Sequence, residues 1–215
     1  KLDNFDLVVV PEHDNLDGHN VLKTKGAIHY LTSEEIEKDK EYLFSISSKL
    51  RDKNIISLII GGPTQYYDYS DRNIQEIFSK VNYLVKENNL NLVVIPSMRT
   101  PKGTIEHAKI YFGNDHLVLD GVDKKAYLSA LSQSKHLVIT CDSSSMISEA
   151  ALTGKPIYIA TIPPKKNDKR FKNFRKLFQE MKIIRELGEK LENWNYEKLD
   201  ETNRVANIIK DKIQL

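Results

Sequence analysis

The chain has 215 residues, of which 40% are hydrophobic and 29% charged, as is usual for a globular protein long enough to form a large domain. Its 32 basic and 30 acidic side chains leave a formal net charge of +2, so no general positive field favours nucleic acid as a partner. No stretch approaches the roughly 20 apolar residues of a membrane-spanning helix, and the single cysteine, Cys141, excludes an internal disulfide and fits a reducing compartment.

The beginning of the chain resembles the end of one structural unit and a connection to another. Phe5 to Val10 is an apolar run apart from Asp6, and it predicts a buried parallel strand. Since such a strand needs neighbours, we interpret this start as the cut end of a larger protein. The polar segment that follows predicts a crossover or hinge. Ser33 to Leu50 then predicts one helix, with Leu43, Ile46 and Leu50 on a common face.

From Ile55 onward, apolar runs alternate with amphipathic helical patterns. Five such runs lie between Ile55 and Ile162, and each ends in a polar turn. This alternation predicts an α/β fold: a Rossmann-like parallel sheet with helices on both faces and right-handed crossovers. We place residues 1–50 at the end of an N-terminal domain, with its linker and connecting helix, and residues 51–215 in the Rossmann-like domain with C-terminal helices.

The C-terminal part predicts helices around a loop. Lys166 to Ile184 and Asp200 to Ile213 have helical patterns, and the loop between them carries Trp194 and Tyr196. The first of these helices begins in a basic, Phe-containing segment that we expect either to meet anionic lipid or phosphate, or to be an ordinary solvated helix with Phe171, Phe174 and Phe178 facing the core.

Two turns that follow apolar runs carry small, hydroxyl and basic residues. Ligands of open parallel sheets bind beyond the carboxyl ends of the strands, so these turns are candidate binding sites. Gly61 and Gly62 would let a phosphate or sugar approach the backbone, with Thr64 adding a hydroxyl, although a tight turn with positive φ is the commoner reason for a Gly pair. In the next turn the candidates follow a strand that ends at Pro96. They are Ser97, Arg99 and Thr100. The Arg99 guanidinium can hold a phosphate in bidentate fashion or form a surface salt bridge.

The segment "CDSSSMISEAALTGKP" follows the fourth apolar run and opens a helix. One serine must cap this helix, and two more are not needed for capping. A helix N-terminus favours an anion such as a diphosphate, and a carboxylate one turn further can accept hydrogen bonds from a ribose. A capping box would be the alternative, but no Glu or Gln stands at the required interval. We therefore assign ligand binding to Asp142, Ser143, Ser144, Ser145 and Glu149.

The last of these segments, "DSSSMISEAALTGKPIYI", is similar to the nucleotide-sugar half of GT-B glycosyltransferases and UDP-sugar 2-epimerases. Together with "VVVPEHD", "NVLKTKGAIHYLT", "LIIGGPT", "PSMRTP" and "FKNF", it resembles the plant and alphaproteobacterial mitochondrial-fission "elongated mitochondria" family. The matches run in order across nearly the whole chain. The resemblance implies a GT-B-like fold, with this chain as its second Rossmann-like domain and the end of the first. It also implies a nucleotide-diphosphate-sugar pocket at Gly61, Gly62, Ser97, Arg99, Asp142, Ser143, Ser144, Ser145 and Glu149.

Glu12, His13 and Asp14 form a cluster of titratable groups just after the first apolar run. At an interdomain cleft, a carboxylate or imidazole could act as general base toward an acceptor hydroxyl, and a plain polar loop is the open alternative. The irregularly spaced histidines and the single cysteine predict no metal site. We expect no cofactor apart from the nucleotide-sugar donor itself.

Three functions follow from these observations. The first is a metal-independent GT-B-like glycosyltransferase that transfers a hexose from a nucleotide sugar to an unknown lipid or glycan acceptor. The second is a UDP-sugar 2-epimerase-like enzyme, and the third a non-catalytic, membrane-associated adaptor in organelle division. We expect a cytoplasmic location, with peripheral attachment to the inner membrane as an alternative.

Overall fold

A computed structural model describes residues 2–213 of the chain, and there strands and helices alternate from residue 55 onward. The strands are β1 (Val8–Pro11), β2 (Val21–Thr24), β3 (Ile55–Ile60), β4 (Asn91–Pro96), β5 (Leu117–Val118), β6 (Ser134–Thr140), β7 (Ile157–Ala160) and β8 (Ile184–Glu186). The α-helices are α1 (Ser33–Lys38), α2 (Tyr42–Ile46), α3 (Asp71–Glu87), α4 (Lys102–Phe112), α5 (Lys124–Gln133), α6 (Ser144–Ala151), α7 (Lys169–Glu180) and α8 (Glu201–Ile213).

The main sheet of the described residues is wholly parallel, with the strand order β5-β4-β3-β6-β7-β8. The chain builds outward from β3 to β5, and α5 then carries it back across to β6. Because the crossovers of parallel sheets are right-handed, this reversal sends the helices after β3 and β6 to opposite faces. α3 and α4, which follow β3 and β4, pack against each other, whereas α5 packs on β3, β4 and β6, and α6 on β6 and β7. The predicted Rossmann-like α/β class is confirmed.

The core lies on both faces of this sheet. All six residues of β3 are buried, which explains why five of them are apolar and the strand does not alternate. The exception, Ser57, lies with its hydroxyl 2.7 Å from that of Ser134 on β6. On α3 the buried residues recur at the predicted spacing of three and four: Ile74, Ile77, Phe78, Val81, Leu84 and Val85. Each side chain of this size contributes about 1.5–3 kcal/mol when fully buried, so α3 is stabilised mainly by this stripe.

The N-terminal strand differs from the prediction in position and burial. It begins at Val8, not at Phe5, and its four residues are only partly buried. The segment predicted as a hinge contains a second strand, and the two pair in parallel with Val8 opposite Val21. Among the described residues, β1 has only β2 as a neighbouring strand. Its apolar side chains are therefore less buried than those of a central strand in a parallel sheet.

The predicted helix over Ser33 to Leu50 is broken into α1 and α2. α1 begins at Ser33 as predicted, and Thr32 caps it, because the Thr32 hydroxyl accepts a hydrogen bond from the Glu35 N–H at 3.2 Å. At the break, the Ser129 hydroxyl on α5 donates to the Lys40 carbonyl at 2.5 Å and accepts from the Leu43 N–H at 3.1 Å. A side chain distant in sequence thus satisfies the interrupted backbone, and Ile46 is left exposed.

The C-terminal region contains a strand that the sequence pattern did not predict. The helix predicted over Lys166 to Ile184 is only α7, and the chain then turns through Lys182, which has a φ of 59°. The three residues of β8 extend the sheet beside β7. A strand this short has no readable periodicity, so it merged with the helical pattern. α8 and the loop with Trp194 and Tyr196 lie as predicted.

The first residues of the chain are held by its last helix. The Lys25 N–H donates to Glu201 at 2.8 Å, and Thr202 bonds both main-chain groups of His29. Arg204 donates to the Lys23 carbonyl at 2.7 Å. The domain boundary near residue 50 stays a prediction.

Candidate functional site

A cavity of about 310 Å³ opens beyond the carboxyl end of β4. Its walls come from the loop after β4, the N-terminal part of α5, the first turns of α6 and Tyr30. The lining includes Tyr30, Ile95, Pro96, Ser97, Met98, Arg99, Val122, Asp123, Lys124, Tyr127, Ser143, Met146 and Glu149. Four of the residues that the sequence singled out, Ser97, Arg99, Ser143 and Glu149, therefore line one cavity.

An ion pair lies at the inner edge of this cavity, where the loops after β3 and β6 diverge. The Arg99 guanidinium donates to Asp142 Oδ2 at 2.8 Å and to the Gly62 carbonyl at 2.9 Å. The Asp142 side chain has no exposed surface, whereas 42% of the Arg99 side chain is exposed. Arg99 has five N–H donors, so several remain for a ligand.

The Asp142 carboxylate is surrounded by donors from the protein. Besides Arg99, it accepts from the Gly62 N–H at 3.1 Å and from the Tyr69 hydroxyl at 2.5 Å. A buried carboxylate is stable only when it is paired and hydrogen-bonded in this way. Burial, together with the charge of Asp142, raises the pKa of Tyr69 far above its ordinary value, so this phenol remains a donor. Asp142 thus supports Arg99 from beneath the cavity.

Gly61 and Gly62 lie too close to Asp142 and to the backbone of Arg99 for either glycine to carry a side chain. Neither has a positive φ, so a left-handed turn is not the reason. A Cβ at Gly61 would lie 2.2 Å from the Asp142 carboxylate, and one at Gly62 would lie 2.0 Å from the Arg99 carbonyl oxygen. The close approach predicted for a ligand is made here by the chain's own groups.

Two predicted hydroxyls are also used within the protein. Thr64 accepts from the N–H groups of Tyr66 and Tyr67 at 3.0 and 3.1 Å, which closes the turn after β3. The buried Thr100 hydroxyl lies 2.6 Å from the Gly61 carbonyl and accepts from the Ser97 N–H at 2.8 Å. Both residues shape the loops that carry the site.

The serines at the start of α6 have different environments. Ser143 is the N-cap, and its hydroxyl accepts from the Met146 N–H at 3.4 Å. Among residues 2–213, the N–H groups of Ser144 and Ser145 have no hydrogen-bond partner. Such free donors at the positive end of a helix can bind an anion. Ser145 is exposed, and neither Ser144 nor Ser145 lines the cavity itself.

Glu149 lies on α6 with one carboxylate oxygen held by the protein. The Tyr127 hydroxyl donates to its Oε2 at 2.6 Å. Burial, reinforced by Glu149, raises the pKa of Tyr127 well above its ordinary value, so the phenol stays protonated. Within the described part of the chain, Oε1 has no hydrogen-bond partner, so it is free to accept from a ligand hydroxyl.

Glu12, His13 and Asp14 lie elsewhere, packed against α7. Asp14 pairs with Arg170, and the buried His13 ring meets Phe174 edge-on with ring centroids 5.3 Å apart. Glu12 and His13 line a separate depression of about 250 Å³. Burial lowers the pKa of His13 more than neighbouring Asp14 raises it. None of the three lines the cavity beside Arg99.

Most of the basic segment before and within α7 is neutralised by acidic partners. Lys165, Arg170 and Lys172 pair with Asp68, Asp14 and Asp168, and Lys176 pairs with Glu180. Arg175 is buried and pairs with Asp168 at 3.2 Å. Phe174 and Phe178 are buried as expected, and Phe171 packs on the core. This pairing favours the ordinary solvated helix over a lipid-binding surface.

Several lining residues carry no motif in the sequence. Tyr127 lies in a helix of mixed pattern, and Tyr30, Met98 and Val122 are exposed apolar residues on three separate segments. Only the fold brings them together at one opening. Within residues 2–213 no group of three or more His, Cys, Asp or Glu side chains is arranged to hold a metal ion. No helix in that range is long and apolar enough to cross a membrane.

The comparisons with known proteins agree with this architecture. A family model described as mitochondrial fission ELM1 matches residues 1–213. The chain belongs to the mitochondrial fission ELM1 family. The chain is similar to the uncharacterised protein RP120 of Rickettsia prowazekii (strain Madrid E), which is 28% identical over 95% of this chain and 58% of its own length. The mitochondrial fission protein ELM1 of Arabidopsis thaliana is 25% identical over 99% of this chain and 55% of its own length.

This ELM1-family chain thus spans little more than half the length of these relatives. Its fold is similar to the S. aureus MnaA–UDP co-structure, with a TM-score of 0.51 and 15% identity over 98% of this chain and 60% of the other. A putative UDP-N-acetylglucosamine 2-epimerase from Listeria monocytogenes also has a TM-score of 0.51, with 14% identity over 94% and 56%. At these identities the likeness concerns the fold, which is GT-B-like.

Proposed function

We propose that this chain binds a nucleoside-diphosphate sugar in the cavity beside Arg99 and serves a metal-independent hexosyl transfer. The observation that carries the proposal is a cavity lined by the Arg99 guanidinium and by a Glu149 carboxylate oxygen without a partner in the described residues. The free N–H groups of Ser144 and Ser145 lie just outside this lining, at the N-terminus of α6, and all three features lie at the carboxyl edge of a parallel sheet. Such an edge is where open α/β sheets bind their ligands.

The diphosphate would lie between Arg99 and the first turn of α6. Arg99 offers a fixed, planar set of donors, and the N–H groups of Ser144 and Ser145 add hydrogen bonds and the helix dipole. These groups do not need to reorganise when negative charge develops on a leaving diphosphate. Preorganised donors of this kind are a major source of stabilisation in group transfer.

The nucleoside would extend from the diphosphate along α6. Glu149 Oε1 is placed to accept from ribose hydroxyls, and Tyr30, Met98 and Val122 offer an apolar opening for the base. A cavity of about 310 Å³ is within the range of roughly 300–1,000 Å³ in which small-molecule sites fall. The base, the sugar and the acceptor stay undefined by these residues.

In the proposed transfer, an acceptor hydroxyl attacks the anomeric carbon of the sugar. A new C–O bond forms, the bond from this carbon to the diphosphate breaks, and the diphosphate leaves with the electron pair. A general base takes the hydroxyl proton. Glu12, His13 and Asp14 remain the proposed source of that base, although they do not line the donor cavity.

A non-catalytic adaptor in organelle division is the second candidate, because the family model carries the name of mitochondrial fission. A 2-epimerase-like reaction would use the same donor site. The adaptor predicts no specific nucleotide binding. The epimerase predicts conversion of the sugar without an acceptor, whereas the transferase requires one.

A cytoplasmic location with peripheral membrane attachment is a further proposal that rests on the family resemblance.

The test is titration calorimetry of the protein with UDP, GDP and ADP, each compared with its parent nucleoside. We expect one diphosphate to bind at least ten times more tightly than its nucleoside. Glu149→Gln should weaken that binding, while Glu106→Gln on the exposed part of α4 is the matched control. No preference for any diphosphate over its nucleoside would contradict the proposal and favour the adaptor.

A further inference from the structure

A continuous line of hydrogen bonds runs beneath Arg99. The Gly61 N–H donates to Thr140 Oγ1 at 2.8 Å, and Thr140 Oγ1 lies 2.9 Å from the Tyr69 hydroxyl. The Tyr69 hydroxyl in turn lies 2.5 Å from Asp142 Oδ1. Tyr69 has a single proton, and its only strongly basic neighbour is the carboxylate. Tyr69 therefore donates to Asp142 and accepts from Thr140.

This direction gives each oxygen of Asp142 a separate task. Oδ1 accepts from the Tyr69 hydroxyl, while Oδ2 accepts from the Gly62 N–H and from Arg99 at 3.1 and 2.8 Å. Because the side chain has no exposed surface, water cannot replace a missing donor without opening the loop. The orientation of the carboxylate, and hence the direction of the guanidinium, depends on the bond to Oδ1.

We propose that Tyr69 is a positioning residue that acts through Asp142 to hold the Arg99 guanidinium toward a bound phosphate. The inference deepens the proposed nucleotide site and rests on it. Tyr69 does not line the cavity, so it would not touch the ligand. Its effect should therefore concern the phosphate groups and leave the nucleoside contacts at Glu149 and Tyr127 unchanged.

Tyr69→Phe removes this one hydroxyl and keeps the ring. The measured quantity is the affinity ratio between the best-binding diphosphate among UDP, GDP and ADP and its parent nucleoside. We expect the ratio to fall about tenfold in Tyr69→Phe, which is the size of effect expected for one hydrogen bond to a charged group. Nucleoside affinity should not change. A merely structural role would weaken both ligands together and leave the ratio unaltered.

Tyr66→Phe is the matched control, because Tyr66 lies in the same loop and its hydroxyl has no hydrogen-bond partner in the described residues. It should keep the wild-type ratio. Thr140→Val, with Thr140→Ser as its control, breaks the line one step earlier and should lower the ratio in the same direction. This pair decides the question where Tyr69→Phe does not fold.

The possible outcomes separate the two proposals. A lower ratio of diphosphate to nucleoside affinity in Tyr69→Phe, together with a wild-type ratio in Tyr66→Phe, supports the positioning role. A wild-type preference for the diphosphate that survives in both Tyr69→Phe and Thr140→Val overturns this inference and leaves the nucleotide site standing. Wild-type protein that binds no diphosphate in preference to its nucleoside overturns both.

Discussion

Asp142 shows how one buried charge constrains the residues around it. Its carboxylate lies in the crevice between the loops after β3 and β6, with Gly61 and Gly62 packed against it and Arg99. Removal of Arg99 would leave the buried Asp142 charge without its cation, and the 42% exposure of Arg99 means that solvent screens part of this cost. The two glycines are therefore required by the packing around this charge, although they carry no functional group.

Gly62→Ala should destabilise the protein strongly. The new Cβ would lie 2.0 Å from the Arg99 carbonyl oxygen, a backbone atom that cannot move without shifting the loop. We expect a loss of at least about 3 kcal/mol in the free energy of unfolding, measured by urea denaturation.

Gly103→Ala is the control for this substitution. Gly103 lies in α4 with no heavy atom within 4 Å of the added Cβ, so alanine should be neutral or stabilise by up to about 1 kcal/mol. Equal effects of the two substitutions would refute the packing argument.

Tyr127→Phe tests the assignment of Glu149 to the ribose. The Tyr127 hydroxyl donates to Glu149 Oε2 at 2.6 Å. Without this hydrogen bond the carboxylate can rotate, and Oε1 is no longer held in the position that would accept from a ribose hydroxyl. If the site binds a ribonucleotide, the variant should lose about threefold to tenfold of its preference for UDP over 2′-deoxy-UDP, or for the corresponding pair with another base.

Competition binding with the two nucleotides measures this preference. Tyr111→Phe on α4 is the control, since its hydroxyl is exposed and bonds only Ser79. An unchanged ribose preference in Tyr127→Phe would separate Tyr127 from ligand recognition.

At the scale of single elements, α6 divides its serines between two purposes. Ser143 caps the helix, while Ser148 one turn on donates to the Ser144 carbonyl and accepts from the Ala27 N–H. The N–H groups of Ser144 and Ser145 are left without partners in the described chain. The residue that caps this short helix therefore differs from the two whose N–H groups we propose to bind the diphosphate.

Ser143→Ala should reduce stability by about 1 kcal/mol, as expected for the loss of an N-cap. Ser145→Ala removes an exposed hydroxyl with no partner in the described residues, and it should change stability by less than about 0.5 kcal/mol. Thermal unfolding measures the stability of both variants against wild type. A larger loss for Ser145→Ala than for Ser143→Ala would show that the cap is assigned to the wrong serine.

In the molecule as a whole, α8 near the C-terminus binds the segment that contains and follows β2. Glu201 is 4% exposed, accepts from the Lys25 N–H and pairs with Arg204, which also holds the Lys23 carbonyl. Burial alone would raise the pKa of Glu201. The hydrogen bonds from Arg204 and Lys25 outweigh it and hold the pKa below its ordinary value of 4.5. The β1–β2 pair depends on these contacts, because two strands alone are marginally stable.

Glu201→Gln should loosen the N-terminal segment more than the main sheet. We expect faster hydrogen exchange in residues 8–11 and 21–24, and a loss of about 2 kcal/mol in stability at pH 7. Lys176 and Glu180 form an exposed pair, so Glu180→Gln is the control and should have little effect.

The same variant gives a pH test. A carboxyl whose pKa is lowered in the folded state stabilises the protein above pH 4.5 and loses this contribution as pH falls through its folded pKa. The stability difference between wild type and Glu201→Gln should therefore shrink below pH 4.5 in urea denaturation. A difference that stays constant from pH 7 to pH 3 would exclude the charge of Glu201 as its cause.

Much of the fold was predictable from local pattern. The run Ile55 to Ile60 and the stripe on α3 report burial directly, because periodicity follows from the faces that a strand or helix covers. The break between α1 and α2 was not predictable, since Ser129 from a distant helix satisfies it. β8 was too short to leave a pattern.

For the candidate site, the sequence pattern predicted which turns meet at the carboxyl edge of the sheet, and its residue types pointed to Arg99, Ser143 and Glu149. The three-dimensional contacts were needed to learn which side chains face a cavity and which face one another. Asp142, Gly61 and Gly62 have the residue types of a ligand site, yet they pack together beneath it. Tyr69 and Tyr127 carry no local motif, and they matter because folding places a hydroxyl beside a carboxylate. The reason is that a side chain's chemistry is local, whereas its partners are set by contacts across the sheet.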